Sequence, residues 1–237
     1  MEILTSFYYP SNKLRENEII LTLQKNLSKD FIHKINLYIT ENDYSKFKNS
    51  DFINNNNYNK LNFIIRNYQP TYLQLIKTAI KIDTEIICIC NSDIEFCISD
   101  TKILDKLQEN ICYFLTRYEY DNTCPLINNF GGSHDAFIFK NKVLKNKING
   151  VDLSYIDYIQ NTPGIEALLT IFFIETLKYD IYNPCFEIKL LHHHRSGYRT
   201  WQNTKPVGYT SSTPINNGYY RDSVWCKYML YPCRLLI

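Results

Sequence analysis

Apolar and polar residues follow two different periods in the first hundred residues of the chain. Four short apolar runs with β-forming side chains predict strands at residues 2–9, 35–39, 61–66 and 85–90. Apolar positions three or four apart predict helices at residues 13–29, after Pro70 in the first turn, and after a cap at Ser99-Asp100. Strands and helices that alternate in this way predict an α/β fold with a mainly parallel sheet.

The second half of the chain carries weaker patterns. Strands are predicted at residues 112–116, 136–139 and 186–190, and a polar loop with a short helix at 43–60. Residues 164–179 are apolar on nearly every side, which predicts a buried helix. The tail from Gly197 shows no period. With 237 residues, no internal repeat and no linker, the chain fits a single domain, residues 1–237.

Composition excludes several classes of protein. Hydrophobic residues make up 45% and charged residues 21%, and a net charge of +2 without a basic run argues against a nucleic-acid partner. The start lacks a signal-peptide pattern and the longest apolar run, 167–174, is too short to cross a bilayer, so we expect a cytoplasmic protein without a membrane anchor. No CxxC pair occurs, so we expect reduced cysteines at positions 88, 90, 97, 112, 124, 185, 226 and 233.

Polar residues end the strand predicted at residues 85–90. In extended backbone, residues two apart share a face, so Asn91 and Asp93 are expected to point together. Such a pair can hold a divalent cation beside a nucleotide ribose. Ligands in α/β sheets bind beyond the carboxyl ends of the strands, which is where this pair falls. The alternative is a plain turn, because Asn, Ser and Asp all favour turns.

Three consecutive histidines follow the last predicted strand. If its alternation continues, His192 and His194 share one face and His193 takes the other. Two imidazoles on one face form a reasonable ligand pair for a first-row divalent ion. The alternative is an exposed basic cluster with Arg195 and Arg199.

Two further acidic residues are candidates for chemistry. Glu166 lies in the first turn of the predicted buried helix, where the helix dipole favours an anion. Asp135 follows a pair of glycines, Gly131-Gly132, and precedes a predicted strand. Each also has a structural alternative, a dipole-stabilised first-turn glutamate and a turn aspartate.

The order of these motifs resembles the GT-A fold of nucleotide-sugar glycosyltransferases, in particular family-2-like members. The resemblance covers residues 3–200, and Asn91-Ser92-Asp93 takes the place of the DXD motif. Further short matches resemble a subgroup found in large DNA viruses and bacteria, to which the amino-terminal domain of a multidomain chlorella-virus enzyme belongs. These matches are Pro70-Thr71-Tyr72, residues 115–119, residues 133–139 and His192-His193-His194. Two features depart from the pattern: Asn91 replaces the first Asp of DXD, and a Glu-Asp pair is reduced to Glu166.

The resemblance implies a GT-A architecture, Rossmann-like, with a mixed, mainly parallel central sheet flanked by helices. Residues 1–110 would form the half that binds the nucleotide sugar, residues 111–200 the acceptor and catalytic half, and residues 201–237 a carboxyl-terminal tail. The implied reaction moves a hexosyl group from a nucleoside diphosphate sugar, most simply a UDP-sugar, to a hydroxyl of a glycan or glycoprotein, with inversion.

Roles for individual residues follow from the same resemblance. Mn²⁺, or Mg²⁺, would bind the metal ligands Asp93, His192 and His194. Glu166, or Asp135 in its place, would be the catalytic base. The remaining donor-binding candidates are Tyr8, Tyr9 and Tyr72 beside the nucleobase, Asn91 beside the ribose or a metal-bound water, Ser92 in the same segment, and Arg15, Arg66 and Arg117 beside the diphosphate or sugar. For Arg15, a position on the protein surface is the alternative.

Two other functions stay open at this stage. One is a non-catalytic module that binds a nucleotide sugar or carbohydrate on the same fold, which Asn91 in the DXD position favours. The other is a zinc hydrolase built on the three histidines and a cysteine, although their spacing matches no common zinc pattern.

Overall fold

The computed structural model describes residues 1–50, 58–120, 134–160, 162 and 164–198. These residues form ten strands: β1 (Glu2–Ser6), β2 (Lys34–Ile39), β3 (Leu61–Ile65), β4 (Ile86–Cys90), β5 (Ile94–Ile98), β6 (Ile111–Leu115), β7 (Arg117–Glu119), β8 (Ala136–Lys140), β9 (Asp180–Tyr182) and β10 (Ile188–His192). Their α-helices are α1 (Lys13–Leu27), α2 (Glu41–Lys48), α3 (Tyr72–Ala79), α4 (Lys102–Asp105), α5 (Asn141–Lys147) and α6 (Ile165–Ile171).

Seven strands form one central sheet in the order β3-β2-β1-β4-β8-β6-β9. The first four of these are parallel, β8 runs antiparallel to both of its neighbours, and β9 is parallel to β6. The predicted α/β class with a mixed, mainly parallel sheet is therefore confirmed. Parallel strands 1 to 4 bring their carboxyl ends to one edge of the sheet.

The core lies on both faces of the central sheet, because apolar residues of each central strand alternate between two clusters. Ile3 packs in one cluster and Leu4 in the other, and Cys88 and Ile89 divide in the same way. Continuous apolar runs are typical of strands that helices cover on both faces. The cysteines of the described residues, at positions 88, 90, 97, 112 and 185, are free thiols, as predicted. Positions 124, 226 and 233 lie outside the described residues.

Several predicted helix boundaries shift in the structure. Helix α3 begins at Tyr72, not at Pro70, because the Thr71 side chain accepts from the Gln74 backbone and closes a capping box. The helix predicted after Ser99-Asp100 shortens to α4, and buried Leu107 lies beyond its end. The buried helix predicted at 164–179 is confirmed as α6, which continues as a π-helical turn over Phe172–Thr176.

A second sheet has three strands in the order β5-β10-β7, all of which follow β4 in the sequence. Strand β10 runs antiparallel to β5 and parallel to β7. Neither β5 nor β7 was predicted, because β7 has only three residues and β5 follows β4 after a three-residue turn. The predicted strand at 186–190 starts later, at Ile188.

Among the helices of the described residues, none combines the length and the apolar character needed to cross a membrane. Residues 201–237, the predicted tail, and the glycine pair Gly131-Gly132 lie outside the described residues, as does Arg199.

Candidate active site

The segment Asn91-Ser92-Asp93 links the two sheets at the carboxyl end of β4. Cys90 ends β4 and Ile94 begins β5, so the segment forms the turn between them. The Asn91 backbone N–H donates to the Asp135 carbonyl at 3.1 Å, and the His193 backbone N–H donates to the Asp93 carbonyl at 2.9 Å. The turn is thereby tied to β8 on one side and to the end of β10 on the other.

Because residues 91–93 turn instead of staying extended, Asn91 and Asp93 contact different groups. The Asn91 side-chain amide donates to Asp135 at 3.0 Å, whereas Asp93 faces Arg15 and His192. The expectation that the two side chains point together assumed an extended strand, and a turn breaks that alternation. Ser92, between them, is half-buried.

Asp93, His192 and His194 form a compact cluster of possible metal ligands. One ligand atom from each lies within 4.8 Å of the other two. Nε2 of His192 lies 3.0 Å from Oδ2 of Asp93, and Nδ1 of His194 lies 3.8 Å from the same oxygen. The exposed side-chain fractions are 10% for Asp93, 5% for His192 and 7% for His194. The structure thus brings together the three residues that the sequence analysis selected.

His193 points to the opposite face of the small sheet, as the alternation predicts. Its Nε2 lies 2.8 Å from Oε2 of Glu95, which also binds the ammonium of Lys25 at 2.9 Å. A hydrogen bond from His193, together with Lys25, lowers the pKa of Glu95 to about 2, although burial alone would raise it. Consequently, the three histidines do not converge on one ligand set, as a three-histidine zinc site would require.

Arg15 is the second partner of Asp93 and comes from the first turn of α1, which Asn12 caps. Its guanidinium forms an ion pair with Asp93 and donates to the His193 carbonyl at 2.6 Å and to Glu18 at 3.1 Å. Only 4% of Arg15 is exposed, so the surface position left open for it is wrong.

Electrostatics hold the Asp93 carboxyl in its ionised form. Burial alone would raise its pKa, but His192 and Arg15 keep the pKa well below its usual range. Burial would likewise lower the pKa of His192, whereas Asp93 and Glu119 raise it to about 9. Both nitrogens of this ring face carboxylates, which only accept hydrogen bonds, so without a cation the ring carries both protons.

The cluster fits a divalent cation in its chemistry. It offers one hard carboxylate oxygen and two imidazole nitrogens, a mixed set that suits Mn²⁺ better than Mg²⁺, since Mg²⁺ prefers oxygen ligands. Asp93, His192 and His194 would hold the ion, which would supply positive charge at this edge of the sheet. A cation on Nε2 of His192 would take the place of the proton that now faces Asp93.

A series of hydrogen-bonded polar side chains extends from the cluster of Asp93, His192 and His194. Nδ1 of His192 lies 2.9 Å from Oε2 of Glu119, and Oε1 of Glu119 accepts from Arg117 Nε at 3.1 Å. Nη1 of Arg117 donates to both oxygens of Asp135, at 2.9 and 3.1 Å. Asp135 raises the pKa of Arg117 further above its already high value. The sequence analysis placed Arg117 beside the donor but did not select Glu119.

Gln160 extends this series beyond Asp135 and was also missed. Its side-chain amide donates to the Cys90 carbonyl at 2.8 Å and to Asn91 Oδ1 at 3.3 Å, and only 1% of Gln160 is exposed. Glu119 ends the short match at residues 115–119, but that match gave it no role, and Gln160 carries no local sequence signal. Only their position next to charged or polar partners in the fold identifies them.

The two acids proposed as bases differ in their surroundings. Asp135 is 3% exposed and both of its oxygens accept from Arg117. Glu166 lies in the first turn of α6, where burial, followed by the nearby Asp135 charge, raises its pKa to about 8. Glu166 can thus exchange a proton near neutral pH.

The candidates for donor contacts separate into accessible and inaccessible residues. A cleft at the carboxyl ends of β1, β2 and β3 is lined by Ser6, Phe7, Tyr8, Tyr38, Ile39, Thr40, Tyr68, Gln69 and Pro70. Tyr9 packs edge-on against Phe7 with ring centroids 5.2 Å apart. Arg66 is exposed and donates to its neighbour's carbonyl at 2.7 Å.

Tyr72 is the buried member of this group. It is 1% exposed and packs edge-on against Phe137, with ring centroids 5.8 Å apart. Because α3 begins at this residue, its ring turns into the core beneath the sheet and offers no face to a nucleobase.

Sequence comparisons find no relatives: no protein-family model matches the chain, and no curated protein matches it either. Among solved structures, the fold resembles a mannosyltransferase from Pyrobaculum calidifontis in complex with GDP-Man and Mn²⁺. That structure shares 11% identity and a TM-score of 0.52, covering 84% of this chain and 59% of the other.

Two nucleotidyl-transferring enzymes are also similar. One is 4-diphosphocytidyl-2C-methyl-D-erythritol synthase from Anaerococcus prevotii, with 12% identity, a TM-score of 0.44 and coverage of 76% of this chain and 84% of the other. The other is a cytidylyltransferase from Leptospira borgpetersenii, with 15% identity, a TM-score of 0.43 and coverage of 77% and 74%.

At these identities the similarity shows the fold alone. The chain has a GT-A-like α/β fold, with a mainly parallel central sheet flanked by helices, and it shares this fold with the mannosyltransferase. The narrower resemblance to a chlorella-virus subgroup finds no support, because no sequence relative matches.

Proposed function

We propose that this protein is a metal-dependent glycosyltransferase that moves a sugar from a nucleoside diphosphate sugar to a hydroxyl of a glycan or glycoprotein. The observation that carries the proposal is the cluster of Asp93, His192 and His194 at the carboxyl end of β4. Ligand sites in open α/β sheets lie at this edge. The fold is shared with a mannosyltransferase that was solved with GDP-Man and Mn²⁺.

The donor has room on the same edge of the sheet. The cleft lined by Tyr8 and Tyr68 lies at the ends of β1 to β3 and is the proposed position of the nucleobase, which could pack against an aromatic ring. The diphosphate would then extend towards Asp93, next to the ends of β4 and β10. UDP-sugars are the first donors to test, and GDP-mannose is the second, because the similar mannosyltransferase was solved with it.

Glu166 is the proposed base for the acceptor hydroxyl. A general base works best with a pKa near the operating pH, and burial raises the pKa of Glu166 to about 8. Asp135 is less suited, because Arg117 occupies both of its oxygens. Its proposed role is to hold Arg117 and Asn91 in place. A carboxylate base on the acceptor side fits an inverting transfer.

The chemistry can be divided among the residues of the chain. Asp93, His192 and His194 would hold the cation, which would supply positive charge against the charge developing on the departing diphosphate. Arg15 and His192 keep Asp93 ionised and in place for that task. Glu166 receives the proton of the attacking hydroxyl. Binding donor and acceptor together at this edge of the sheet would lower the entropic part of the barrier.

Replacing Asp93 tests the proposal directly. We expect Asp93→Asn to abolish Mn²⁺-dependent release of nucleoside diphosphate, because the amide removes the only carboxylate of the Asp93, His192 and His194 cluster and the charge that Asp93 offers to Arg15. The measurement is nucleoside diphosphate release from UDP-glucose, UDP-galactose, UDP-N-acetylglucosamine and GDP-mannose, with and without 1,2-propanediol or short oligosaccharides as acceptors. Asp83→Asn, at an exposed position, is the matched control and should keep full activity.

Each outcome is informative. Release that requires Mn²⁺ and is lost only in the Asp93 variant supports the enzyme. Donor binding without any release in the wild type would identify a non-catalytic nucleotide-sugar-binding module, the alternative that Asn91 in the DXD position favours. Undiminished release by Asp93→Asn would remove this residue from the site.

A further inference from the structure

We propose that Glu119 is the positioning residue of the candidate cation site, because it fixes the His192 ring so that Nε2 faces Asp93. This inference rests on the proposed function, since it requires that a divalent cation binds Asp93, His192 and His194. It goes further by assigning a task to a residue outside the ligand set and by predicting how cation affinity depends on it.

Sheet register places Glu119 beside His192. Strand β10 pairs in parallel with β7 so that His192 lies opposite Glu119, and it pairs with β5 so that His192 lies opposite Ile94. Asp93 immediately precedes Ile94. The His192 ring therefore lies between two carboxylates, with Nδ1 at 2.9 Å from Glu119 and Nε2 at 3.0 Å from Asp93.

The two carboxylates are not equivalent. Asp93 is buried, with 10% of its side chain exposed, whereas 48% of the Glu119 side chain is exposed. A half-exposed side chain on a short strand contributes little to core packing. The main contact that Glu119 makes with the protein interior is therefore the one with the His192 ring, which is only 5% exposed.

Glu119 is itself held on its other oxygen. Oε1 accepts from Arg117 Nε at 3.1 Å while Oε2 faces His192, so each oxygen has a partner among the described residues. Arg117 and Glu119 are two residues apart on β7 and share a face. Arg117 is anchored in turn by Asp135 at 2.9 Å. This support restricts Glu119 to one orientation and removes its freedom to follow a rotated His192.

The consequence for cation binding follows from the two ring nitrogens. When Nδ1 donates its hydrogen to Glu119, the lone pair of Nε2 is directed to the position between Asp93 and His194. A carboxylate behind a histidine ligand both selects this tautomer and raises the basicity of the other nitrogen, and loss of such a partner typically weakens metal affinity about 10- to 100-fold.

The experiment measures Mn²⁺ binding without any donor, by the electron paramagnetic resonance signal of free Mn²⁺. We expect Glu119→Ala to bind Mn²⁺ about 10- to 100-fold more weakly than the wild type. Glu119→Gln should fall between the two, because its amide oxygen still accepts from Nδ1 but lacks the charge. Glu109→Ala, an exposed glutamate before β6, is the matched control and should bind as the wild type does.

The graded order separates positioning from a purely structural role. A structural role would lower the melting temperature of Glu119→Ala without a graded change in affinity, so melting curves of the cation-free proteins accompany the titrations. If Glu119→Ala does not fold, the Glu119→Gln variant tests the inference by itself. It should bind Mn²⁺ measurably more weakly than the wild type.

Failure of this inference differs from failure of the proposed function. A wild type that binds no Mn²⁺ would overturn both. A wild type that binds Mn²⁺, together with Glu119→Ala and Glu119→Gln variants of equal affinity to it, would overturn only the role of Glu119 and leave the cation site intact.

Discussion

At the scale of single residues, the candidate site is defined by how each carboxyl is paired. Asp93 faces Arg15 and His192, Glu119 faces His192 and Arg117, and both are ionised at neutral pH. A hydrogen bond from His192, with help from Arg117 and against the effect of burial, lowers the pKa of Glu119 to about 2. Glu166 differs from both, because in its case burial outweighs the lowering effects and the pKa rises to about 8.

The Glu166 shift predicts the pH profile of sugar transfer. A base must be ionised to accept a proton, so the rate should rise with pH through about 8 and level off above it. Glu166→Gln should lose about 10²- to 10⁴-fold in rate and lose this rise. The measurement is the initial rate of transfer from pH 6 to 10. Glu175→Gln, on an exposed position just beyond α6, is the control.

The same shift also affects stability, which gives a second readout. Because the folded pKa of about 8 exceeds the ordinary value of 4.5, the folded state favours the neutral acid. The penalty for ionising it is absent below the unfolded pKa, grows as pH rises and is complete above about 8. Glu166→Gln should therefore be more stable than the wild type at pH 9 and equal to it at pH 4.

A rate profile without an inflection near 8 in the wild type would exclude Glu166 as the base.

At the scale of secondary-structure elements, the caps determine where the helices begin. Thr71 closes a capping box with Gln74 at the start of α3, and Asn12 accepts from the Arg15 backbone at the start of α1. The α1 cap matters for the site, because it places Arg15 in the first turn, within reach of Asp93. The pairing of β7 with β10 likewise matters for the site, because its register brings Glu119 next to His192.

Removing the Thr71 cap should destabilise the protein without changing the site. We expect Thr71→Ala to lower the free energy of unfolding by about 1 kcal/mol, because a backbone donor at the start of α3 loses its partner. Urea denaturation followed by circular dichroism measures this loss. Thr101→Ala is the control: Thr101 precedes α4 but makes no side-chain capping bond, so its effect should stay within about 0.5 kcal/mol. Equal losses in both variants would contradict the capping assignment.

At the scale of the whole molecule, the two sheets meet at Asn91-Ser92-Asp93, so the site is built from both. Asp93 comes from the link between the sheets, His192 from the small sheet and Arg15 from a helix that covers the large one. Ligands that bind such a junction contact only the folded state. Their binding should therefore be visible as added global stability.

Cation and donor together should stabilise the fold. At a hundredfold excess over its dissociation constant, a ligand that binds only the folded state adds about 2.7 kcal/mol to the free energy of unfolding. For a chain of this size, that corresponds to a rise in melting temperature of roughly 5–11 °C. Scanning fluorimetry with the nucleotide sugar and Mn²⁺ measures it, and EDTA should abolish the cation-dependent part. An identical rise in EDTA would show that donor binding does not use the cation site.

The sequence by itself determined the main elements of the parallel half and the buried α6. Apolar periodicity predicted the strands of the parallel half, α1 and the buried α6. It could do so because the residues that form the buried face of a strand or helix lie close together in the chain. The spacing of His192 and His194 predicted their shared face for the same reason. The strand end at Cys90 indicated where a ligand site would lie.

Only the tertiary structure decided how these residues are paired. The Arg15–Asp93 contact spans 78 residues and the Glu119–His192 contact spans 73, and each depends on how separate strands and helices pack. The same packing turned Tyr72 into the core and attached Asp135 to Arg117. Periodicity reports which face of an element is buried, whereas the partner of a buried charge is set by the register of neighbouring strands, which no local pattern contains.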